Sequence, residues 1–469
     1  MQHGRTAVLH FLAQVVRSLA GFGTTLFAAR YFGAAGLGVY SQFLALLFWV
    51  KLPGDSMTSA VSKRMSEDER TVGHFSAGLL VVLGYGVVVG LAVSVLQGPV
   101  NDFLGVDAAL LLVALVAINM AFDLVKSGFV GDKRVAVSGW LGTAEQVLRL
   151  GGQVAFVVLG GAMVLGLVYG HILSLFAFAL IGLFLLRDRL AIPTRSDLTE
   201  LRTFAQYSWL GNLKGLALNW MDILVLGVFV GDGLVGIYTA SWTLASFLTL
   251  ASKSIATTLF PQLSDLGSRG DFEKARELVT DAMLFSGVFL IPGGFGAAVL
   301  GSELLQVYSA EFATGGTILV ILIGARLFHA FGGQFIGALN GLDYPELAFR
   351  INAVFFSTNF VLNVVLVYLY GWYGAAAATL LSTVVYVVLG WRLLTRKVGA
   401  IRVPYRAIGH QVFASAVMAA VVWTVRPATP NPLYVTIALV AVGAAVYGAV
   451  LVVISAPIRG KLRALADLD

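Results

Sequence analysis

The chain has 469 residues, of which 58% are hydrophobic and only 12% charged, with a formal net charge of +6 and a mean hydropathy of +0.87. Soluble domains carry about a quarter charged residues, so this composition excludes a soluble globular protein and indicates one embedded in a lipid bilayer. The chain has no cysteine, which excludes disulfides and thiolate metal sites, and its histidines show no ligand-like spacing, so we expect no metal and no cofactor.

Apolar runs of about 20 residues follow one another through the chain, and no polar stretch between them is long enough to fold as a separate soluble domain. Such runs predict α-helices, because a helix satisfies its own backbone hydrogen bonds in lipid. We therefore predict an all-α polytopic membrane protein with fourteen transmembrane spans, at 8–32, 36–60, 74–96, 108–130, 136–160, 162–186, 207–230, 234–260, 278–300, 317–340, 346–370, 373–395, 406–425 and 433–455.

The basic residues between these spans predict the topology. With the N-terminus in the cytoplasm, nearly all loop lysines and arginines fall on the inner side, and only Arg30 and Arg426 fall on the outer side. This is the positive-inside bias of membrane proteins. We therefore expect a multi-pass protein of the cell membrane with both termini in the cytoplasm. Since the same bias accounts for the basic net charge, we expect no binding to nucleic acid.

Two short stretches repeat the same glycine-spaced turn, FGAAGLGVY at 32–40 and VGDGLVGIY at 230–238. The pairs that correspond at an offset of 198 residues are Gly33 with Gly231, Gly38 with Gly236, and Tyr40 with Tyr238. Both copies fall in an outer hairpin, and six spans separate them, which predicts two six-helix lobes related by a parallel repeat. Coincidence is the alternative, because short glycine-rich hairpins are common in membrane proteins. The tyrosines are expected at interfacial depth.

The repeat divides the chain into an N-lobe at 1–192, a C-lobe at 193–397, and a segment at 398–469 that holds the last two spans and a cytoplasmic tail. Between the lobes lies a polar connector, in which Thr194 or Ser196 is expected to cap a short amphipathic helix. Pro53 in span 2 and Pro292 in span 9 are each followed by glycine, and both predict an interrupted helix.

Ionisable side chains inside spans are costly, and they usually face a cavity or a charged partner. In this chain the cations outnumber the anions: the basic residues are Arg17, Lys51, Lys126, Arg149, Lys214, Lys253, Arg326 and Arg350, and the acidic residues are Asp55, Asp123, Glu145 and Asp222. Lys126 and Arg350 lie near inner span ends, where snorkelling to the interface explains them. Two pairs at i,i+4 spacing are expected to form ion pairs on one helix, Lys51 with Asp55 and Glu145 with Arg149.

Four cations, Arg17, Lys214, Lys253 and Arg326, have no acid one helical turn away. Under the repeat, spans 1 and 2 correspond to spans 7 and 8, so basic residues from both lobes are predicted to face a shared chamber. A positive chamber of low dielectric attracts a multivalent anion such as phosphate or pyrophosphate. The candidate residues for binding this head group are Arg17, Lys51, Lys214, Lys253, Arg326 and Arg149. The alternative is a buried network closed by acids; Asp55, Asp123, Glu145 and Asp222 are candidates for charge partners or ion coupling.

Enzymatic functions find little support. No G-x-x-x-x-G-K-[ST] loop for nucleotide phosphates occurs, and the outer loops are too short to present the carboxylates of a membrane hydrolase or glycosyltransferase. We therefore expect a transporter without enzymatic activity.

Four segments, ARYFGAAGLGVY (29–40), LFPQLSDL (259–266), GSELLQVYSAEF (301–312) and YGWYGAAAATLLS (370–382), resemble polysaccharide transporters of the Wzx type. That family lies in the multidrug/oligosaccharidyl-lipid/polysaccharide exporter superfamily. The resemblance implies two lobes in a V shape and alternating access. It also implies outward movement of a lipid-linked oligosaccharide, whose polyprenyl or dolichyl carrier ends in a phosphate or pyrophosphate that meets cations in the central cavity.

The resemblance also implies roles for individual residues and partners. Relatives place cations on spans 1, 2 and 8, where this chain has Arg17, Lys51 and Lys253, and their last two spans shape a groove for the lipid tail. Membrane lipids are expected partners, and glycan-assembly enzymes form a further class of candidate partner. Three alternatives stay open: a secondary antiporter of small molecules, which more typically carries an acid in span 1; a lipid II-type flippase; and a non-transporting membrane anchor of a glycan-assembly complex.

Overall fold

The computed structural model describes the backbone of residues 2–67, 73–427, 433–455 and 459–460, and their side chains except those of 2–14, 204, 206–214, 250–251 and 253–258. This described part of the chain is all-α, with sixteen α-helices and no strand. In chain order the helices are α1 (Gln2–Val50), α2 (Leu52–Glu67), α3 (Gly73–Val95), α4 (Gln97–Leu104), α5 (Ala109–Gly131), α6 (Val135–Val154), α7 (Leu165–Leu185), α8 (Arg195–Leu216), α9 (Asp222–Phe229), α10 (Asp232–Phe247), α11 (Leu250–Ser268), α12 (Phe272–Leu305), α13 (Gly316–Gly341), α14 (Pro345–Val398), α15 (Tyr405–Val425) and α16 (Leu433–Ile454).

The membrane assignment and the all-α class are confirmed. Nine helices within the described residues are long and apolar enough to cross a bilayer. Their apolar side chains remain exposed on much of the surface, as expected for helices that face lipid. The count of fourteen spans stays a prediction.

Two of the long helices contain a sharp break at a glycine. α1 breaks at Gly33 (φ 71°, ψ −168°) and α14 breaks at Gly371 (φ 57°, ψ −137°). Glycine reaches this half of φ/ψ space without the steric cost that a Cβ imposes. Both breaks fall between two predicted spans. In the second copy of the repeated turn, α9 ends instead at Phe229, and the next residue, Val230, is extended (φ −133°, ψ 160°).

The two predicted proline breaks have different outcomes. α1 ends at Val50 and α2 begins at Leu52, so the chain is interrupted directly before Pro53. By contrast, α12 runs through Pro292 without interruption, and the predicted break in span 9 is wrong. Membrane helices accommodate proline where neighbouring groups satisfy the freed backbone carbonyls.

The start of α8 is held by a helix cap and by ionisable side chains of α2 and α3. The hydroxyl of Thr194 accepts a hydrogen bond from the N–H of Asp197 (3.2 Å), and the Asp197 carboxylate accepts one from the N–H of Thr194 (2.7 Å). This reciprocal arrangement is a capping box, and the predicted Thr194 cap is confirmed. His74 Nε2 at the start of α3 lies 3.6 Å from Asp197 Oδ1 and 3.2 Å from Glu200 Oε2. Glu200 is in turn 4.0 Å from Arg64 on α2.

By its internal packing the chain divides into two compact units, Met1–Gly236 and Ile237–Asp469. In the first unit, α8 packs against α2 and α3. In the second, α15 and α16 pack against α12 and each other around an apolar cluster that includes Leu300, Met418 and Tyr447. The predicted lobe boundaries at 192/193 and 397/398 stay predictions.

Candidate functional site

A charged side chain occupies the interruption between α1 and α2. Pro53 has no N–H, so the helical hydrogen bonds cannot continue through this point. The hydroxyl of Tyr85 on α3 donates to the carbonyl oxygen of Val50 (2.7 Å), and the N–H groups of Gly54 and Asp55 donate to the carbonyl of Lys51 (2.8 and 3.1 Å). These hydrogen bonds satisfy the backbone carbonyls of Val50 and Lys51 at the interruption. Lys51 therefore has a defined position at the junction.

Lys51 is buried and belongs to a group of four charged side chains. Its ammonium nitrogen lies 2.6 Å from Asp123 Oδ2 on α5 and 3.3 Å from Asp55 Oδ1 on α2. The other oxygen of Asp123 lies 2.7 Å from the Nζ of Lys126. Two cations and two anions cancel formally, which offsets the cost of removing them from water. We call Lys51, Asp55, Asp123 and Lys126 the junction quartet.

Two predictions from the sequence concern residues of the junction quartet. The i,i+4 pair of Lys51 and Asp55 is confirmed. Lys126 pairs with Asp123 one turn before it, so pairing and not only snorkelling explains this lysine. Aromatic rings cover both lysines, with each Nζ 5.0 Å from a ring centroid, that of Phe48 for Lys51 and that of Phe122 for Lys126.

The predicted pair of Glu145 and Arg149 on α6 is also confirmed. Arg149 donates from Nε to Glu145 Oε1 (3.0 Å) and from Nη2 to Oε2 (2.7 Å). Ser174 on α7 donates a further hydrogen bond to Oε1 (2.8 Å). Glu145 is 2% exposed, whereas the Arg149 side chain is 16% exposed. The carboxylate is therefore fixed inside the unit, and the guanidinium lies closer to its surface.

A neutral polar cluster that the sequence analysis missed lies beside this pair. Gln153 Nε2 donates to the hydroxyl of Tyr40 (2.9 Å) and to the carbonyl of Leu167 (2.9 Å). The same hydroxyl lies 3.3 Å from His171 Nδ1. The tyrosines of the repeated turn, Tyr40 and Tyr238, are packed inside protein, 3% and 1% exposed. Their expected interfacial depth stays a prediction.

Arg17 differs from these paired cations. Its side chain is exposed, and no carboxylate in the described part of the chain lies within ion-pair distance of it. Its Nη1 and the Cδ of Lys126 each lie 3.8 Å from the point where a Cβ on Gly142 would stand. Arg17 on α1 and Lys126 on α5 therefore both reach α6 at Gly142. Arg149 follows Gly142 by seven residues, about 10 Å along the helix axis.

Arg326 is the predicted cation of the second unit. It is 4% exposed on α13, and its Nη2 donates to the hydroxyl of Ser246 on α10. Its guanidinium carbon lies 3.6 Å from the ring centroid of Trp242, a cation–π contact. The indole ring of Trp242 therefore supports this arginine.

The remaining predicted site residues are less constrained. Lys214 and Lys253 have side chains outside the described residues, and both stay predictions. Asp222 is 4% exposed at the start of α9, and Arg350 is exposed near the start of α14. Unit Met1–Gly236 thus brings together Arg17 with the junction quartet, and holds Arg149 with Glu145 on the adjacent helix.

The second unit also contains an apolar cavity of about 520 Å³ bounded by α10, α12, α13, α15 and α16. Pro292, Gly293, Met418, Gly443 and Tyr447 are among its lining residues. The lining is almost entirely hydrocarbon, which is the character of a site for an apolar group.

Comparisons with known proteins agree with this architecture. The chain matches the family model described as "Polysaccharide biosynthesis protein" over residues 4–267. It is 32% identical to the probable flippase AglR of Haloferax volcanii over 98% of both chains. It is 28% identical to the probable low-salt glycan biosynthesis flippase Agl15 of the same organism over 90% of both chains.

Among solved structures, the fold is similar to the lipid II flippase MurJ in its inward closed conformation, with a TM-score of 0.78. The sequence identity is 15%, and the match covers 95% of this chain and 98% of that chain. This likeness concerns the fold alone. Because the family model covers more than half of the chain and a relative 32% identical matches nearly all of it, the protein belongs to the polysaccharide biosynthesis protein family of membrane flippases and transporters.

Proposed function

We propose that the protein moves a lipid-linked oligosaccharide from the cytoplasmic to the outer leaflet of the cell membrane by alternating access. The carrier is a polyprenyl or dolichyl phosphate or pyrophosphate, and both termini of the protein lie in the cytoplasm. The names of the relatives AglR and Agl15 support the flippase class. Glycan-assembly enzymes would supply this substrate on the inner side. The proposal makes the protein a transporter and not an enzyme.

The observation that carries the proposal is the exposed guanidinium of Arg17. The charges of Lys51 and Lys126 are matched by Asp55 and Asp123, whereas Arg17 has no carboxylate partner among the described residues. An unmatched cation next to a matched group gives the surface a net positive charge at this point. A phosphate bound to Arg17 would therefore gain attraction without displacing an existing ion pair.

Deeper binding of the head group would proceed by exchange at the junction quartet. Lys126 lies beside Arg17, and its partner Asp123 already shares its charge with Lys51. A phosphate oxygen that replaces Asp123 on Lys126 would leave Asp123 bound to Lys51. Arg149 and Arg326, together with Lys214 and Lys253, are further proposed contacts. The acids Asp55, Asp123, Glu145 and Asp222 are proposed charge partners, and Asp123 is the candidate for ion coupling.

The lipid tail needs no polar passage, because it can stay in hydrocarbon while the sugar crosses. The apolar cavity beside α15 and α16 is the proposed resting place of its first isoprenoid units. The direction of transport follows from the charge of the head group. Moving a negative charge out of a cell that is negative inside gains about 2.3 kcal/mol per charge per 100 mV. This gain drives export without a nucleotide site.

The proposal is tested by replacing Arg17 in purified protein. We expect native mass spectrometry to detect a co-purified lipid of polyprenyl phosphate or pyrophosphate mass on the parent protein and on Arg17→Lys, and much less on Arg17→Ala. Arg392→Ala, which removes an exposed arginine near the inner end of α14, is the matched control and should keep the lipid.

Translocation is then measured in proteoliposomes that carry the identified lipid, with a membrane-impermeant glycosidase reporting sugar on the outer face. Arg17→Ala should insert normally and lose translocation. Unchanged translocation in Arg17→Ala would contradict the proposal. Efflux of small cations without any bound lipid would indicate an antiporter, and support of glycan assembly without translocation would indicate an anchor.

A further inference from the structure

Unit Met1–Gly236 contains a cleft of about 670 Å³ between α2, α3, α5 and α8. Its volume lies within the roughly 300–1,000 Å³ that is typical of ligand pockets. The walls are almost entirely hydrocarbon, with Met57 of α2 and Val82 of α3 among them. Pro53 and Gly54 also line the cleft, which therefore borders the interruption between α1 and α2.

Among the described residues that line the cleft, only Arg202 of α8 is charged. Its side chain is exposed, so it stands at the opening of the cleft. Arg202 makes no ion pair with a described carboxylate, because Asp197 and Glu200 on the same helix lie against His74 instead. The cleft thus combines apolar walls with one unmatched cation.

The predicted topology puts this opening at the cytoplasmic interface. Arg202 belongs to the polar connector, which the positive-inside bias places on the inner side. Tyr85, which lines the cleft on α3, follows the predicted inner end of span 3 at His74 by eleven residues. This separation is about 16 Å along the helix axis. The cleft therefore runs from the inner head-group region into the hydrocarbon of the bilayer.

The cleft is poorly suited to a sugar. Both hydroxyl groups of its described lining residues already donate to backbone carbonyls, Tyr85 to Val50 (2.7 Å) and Ser56 to Pro53 (2.5 Å). An oligosaccharide would lose its hydrogen bonds to water here without gaining others. Hydrocarbon walls with one cation at the interface instead complement an alkyl chain and a single phosphate.

We propose that this cleft binds an anionic phospholipid of the inner leaflet, with an alkyl chain between the four helices and the phosphate at Arg202. The occupant is a resident lipid of the bilayer, so the site goes beyond the proposed function and does not depend on it. The bound chain packs against Gly54, three residues after Lys51, and against Met120, one turn before Asp123. The lipid therefore supports the two helices that carry the acids of the junction quartet.

The first test compares two probes, phosphatidylglycerol and phosphatidylcholine with the same oleoyl chains, on delipidated full-length protein by native mass spectrometry. Arg202→Ala should lower the affinity for phosphatidylglycerol about tenfold, the size of one hydrogen bond to a charged group, and leave that for phosphatidylcholine unchanged. Arg195→Ala is the matched control, because Arg195 is exposed in the first turn of α8 and does not line the cleft. Equal phosphatidylglycerol affinity of the two variants would overturn the inference.

The same measurement separates this site from the transport site. Arg202→Ala should keep the co-purified lipid of polyprenyl phosphate or pyrophosphate mass, whereas Arg17→Ala should lose that lipid and still bind phosphatidylglycerol. Loss of the polyprenyl lipid from Arg202→Ala would assign the cleft to the transported lipid and overturn the inference. Retention of both lipids by Arg17→Ala would instead refute the proposed function alone.

A second test locates the alkyl chain and needs no change at Arg202. Phosphatidylglycerol with a diazirine in the middle of one chain is photolysed on the protein, and we expect adducts within 53–57 and 81–85. Leu198→Trp, which extends an indole into the cleft from α8, should abolish these adducts. Leu83→Trp is the control, because Leu83 is exposed on α3 and lies outside the lining. Adducts at the same sites in Leu198→Trp, or adducts only elsewhere in the parent protein, would overturn the inference.

Discussion

The ammonium group of Lys51 lies 2.6 Å from the carboxylate of Asp123, and this pair joins the interruption between α1 and α2 to the middle of α5. A second lysine, Lys126, binds the other oxygen of the same carboxylate. Asp123 is thus the only described residue that bridges Lys51 and Lys126. The proposed exchange of a head-group phosphate at Lys126 depends on this carboxylate.

The bridging role predicts a large effect of Asp123→Asn. The variant leaves Lys126 without its carboxylate and Lys51 with Asp55 alone, so we expect a loss of about 3 kcal/mol in the free energy of unfolding. Thermal unfolding in detergent measures this loss. Asp55→Asn is the control, since Lys51 keeps its shorter contact with Asp123; it should cost clearly less. Equal destabilisation by the two variants would contradict the bridging role.

Arg17→Ala should affect binding without affecting stability. The side chain is exposed and makes no ion pair among the described residues, so we expect the free energy of unfolding to change by less than about 0.5 kcal/mol. Lipid binding should fall in the same preparation. A drop in Tm comparable to that of Asp123→Asn would mean that Arg17 has a structural role.

Arg149 was predicted as a head-group residue, and its contacts predict a stability effect as well. Arg149→Met leaves the buried carboxylate of Glu145 with Ser174 as its one remaining side-chain partner among the described residues, which should cost about 3 kcal/mol. Adding Glu145→Gln removes the unpaired charge and should restore part of the lost stability. A double-mutant cycle on thermal unfolding checks this; purely additive effects would argue against the coupling of the two residues.

The stacked geometry of Arg326 predicts that lysine cannot replace it. Arg326→Lys loses the planar stacking on Trp242 and should cost about 1 kcal/mol of stability. Trp242→Phe should be milder than Trp242→Leu, because phenylalanine keeps an aromatic face. Tm values of the three variants provide the measurement, and an Arg326→Lys protein as stable as the parent would contradict the prediction.

The capping box at the start of α8 should contribute to the free energy of unfolding, and we expect this contribution not to change with pH in the neutral range. Burial alone would raise the pKa of Asp197, but hydrogen bonds from the N–H and hydroxyl of Thr194, aided by His74, hold this pKa below its usual value. A carboxyl whose folded pKa is lowered contributes stability above the unfolded pKa of about 3.9 and loses it as the pH falls through the folded pKa.

Thr194→Ala should therefore lower stability by about 1 kcal/mol, by a similar amount at pH 6 and pH 8. Limited proteolysis of the connector at 187–194 should also become faster. Ser196→Ala is the control, because Ser196 does not cap the helix. A Thr194→Ala effect that vanished at pH 8 would show that Asp197 is not the partner that matters.

Local patterns in the sequence determined a large part of this structure. Hydrophobicity predicted the membrane and the helices, because lipid leaves few other ways to satisfy a backbone. Glycine spacing predicted the turn at Gly33, and i,i+4 spacing predicted the pairs of Lys51 with Asp55 and Glu145 with Arg149. Each of these depends on residues within one or two helical turns.

Only the tertiary structure decided which helices bring their polar groups together. Asp123 meets Lys51 from 72 residues away, Gln153 meets Tyr40, and Arg326 meets Trp242. No periodic pattern revealed these partners, because a helix surrounded by lipid is apolar on the faces that contact lipid and on those that contact protein alike. The packing of Gly38 on the backbone of Asp232, and of Gly236 on the backbone of Ala34, was hidden in the same way. A repeat predicts equivalent turns, and only packing brings them together.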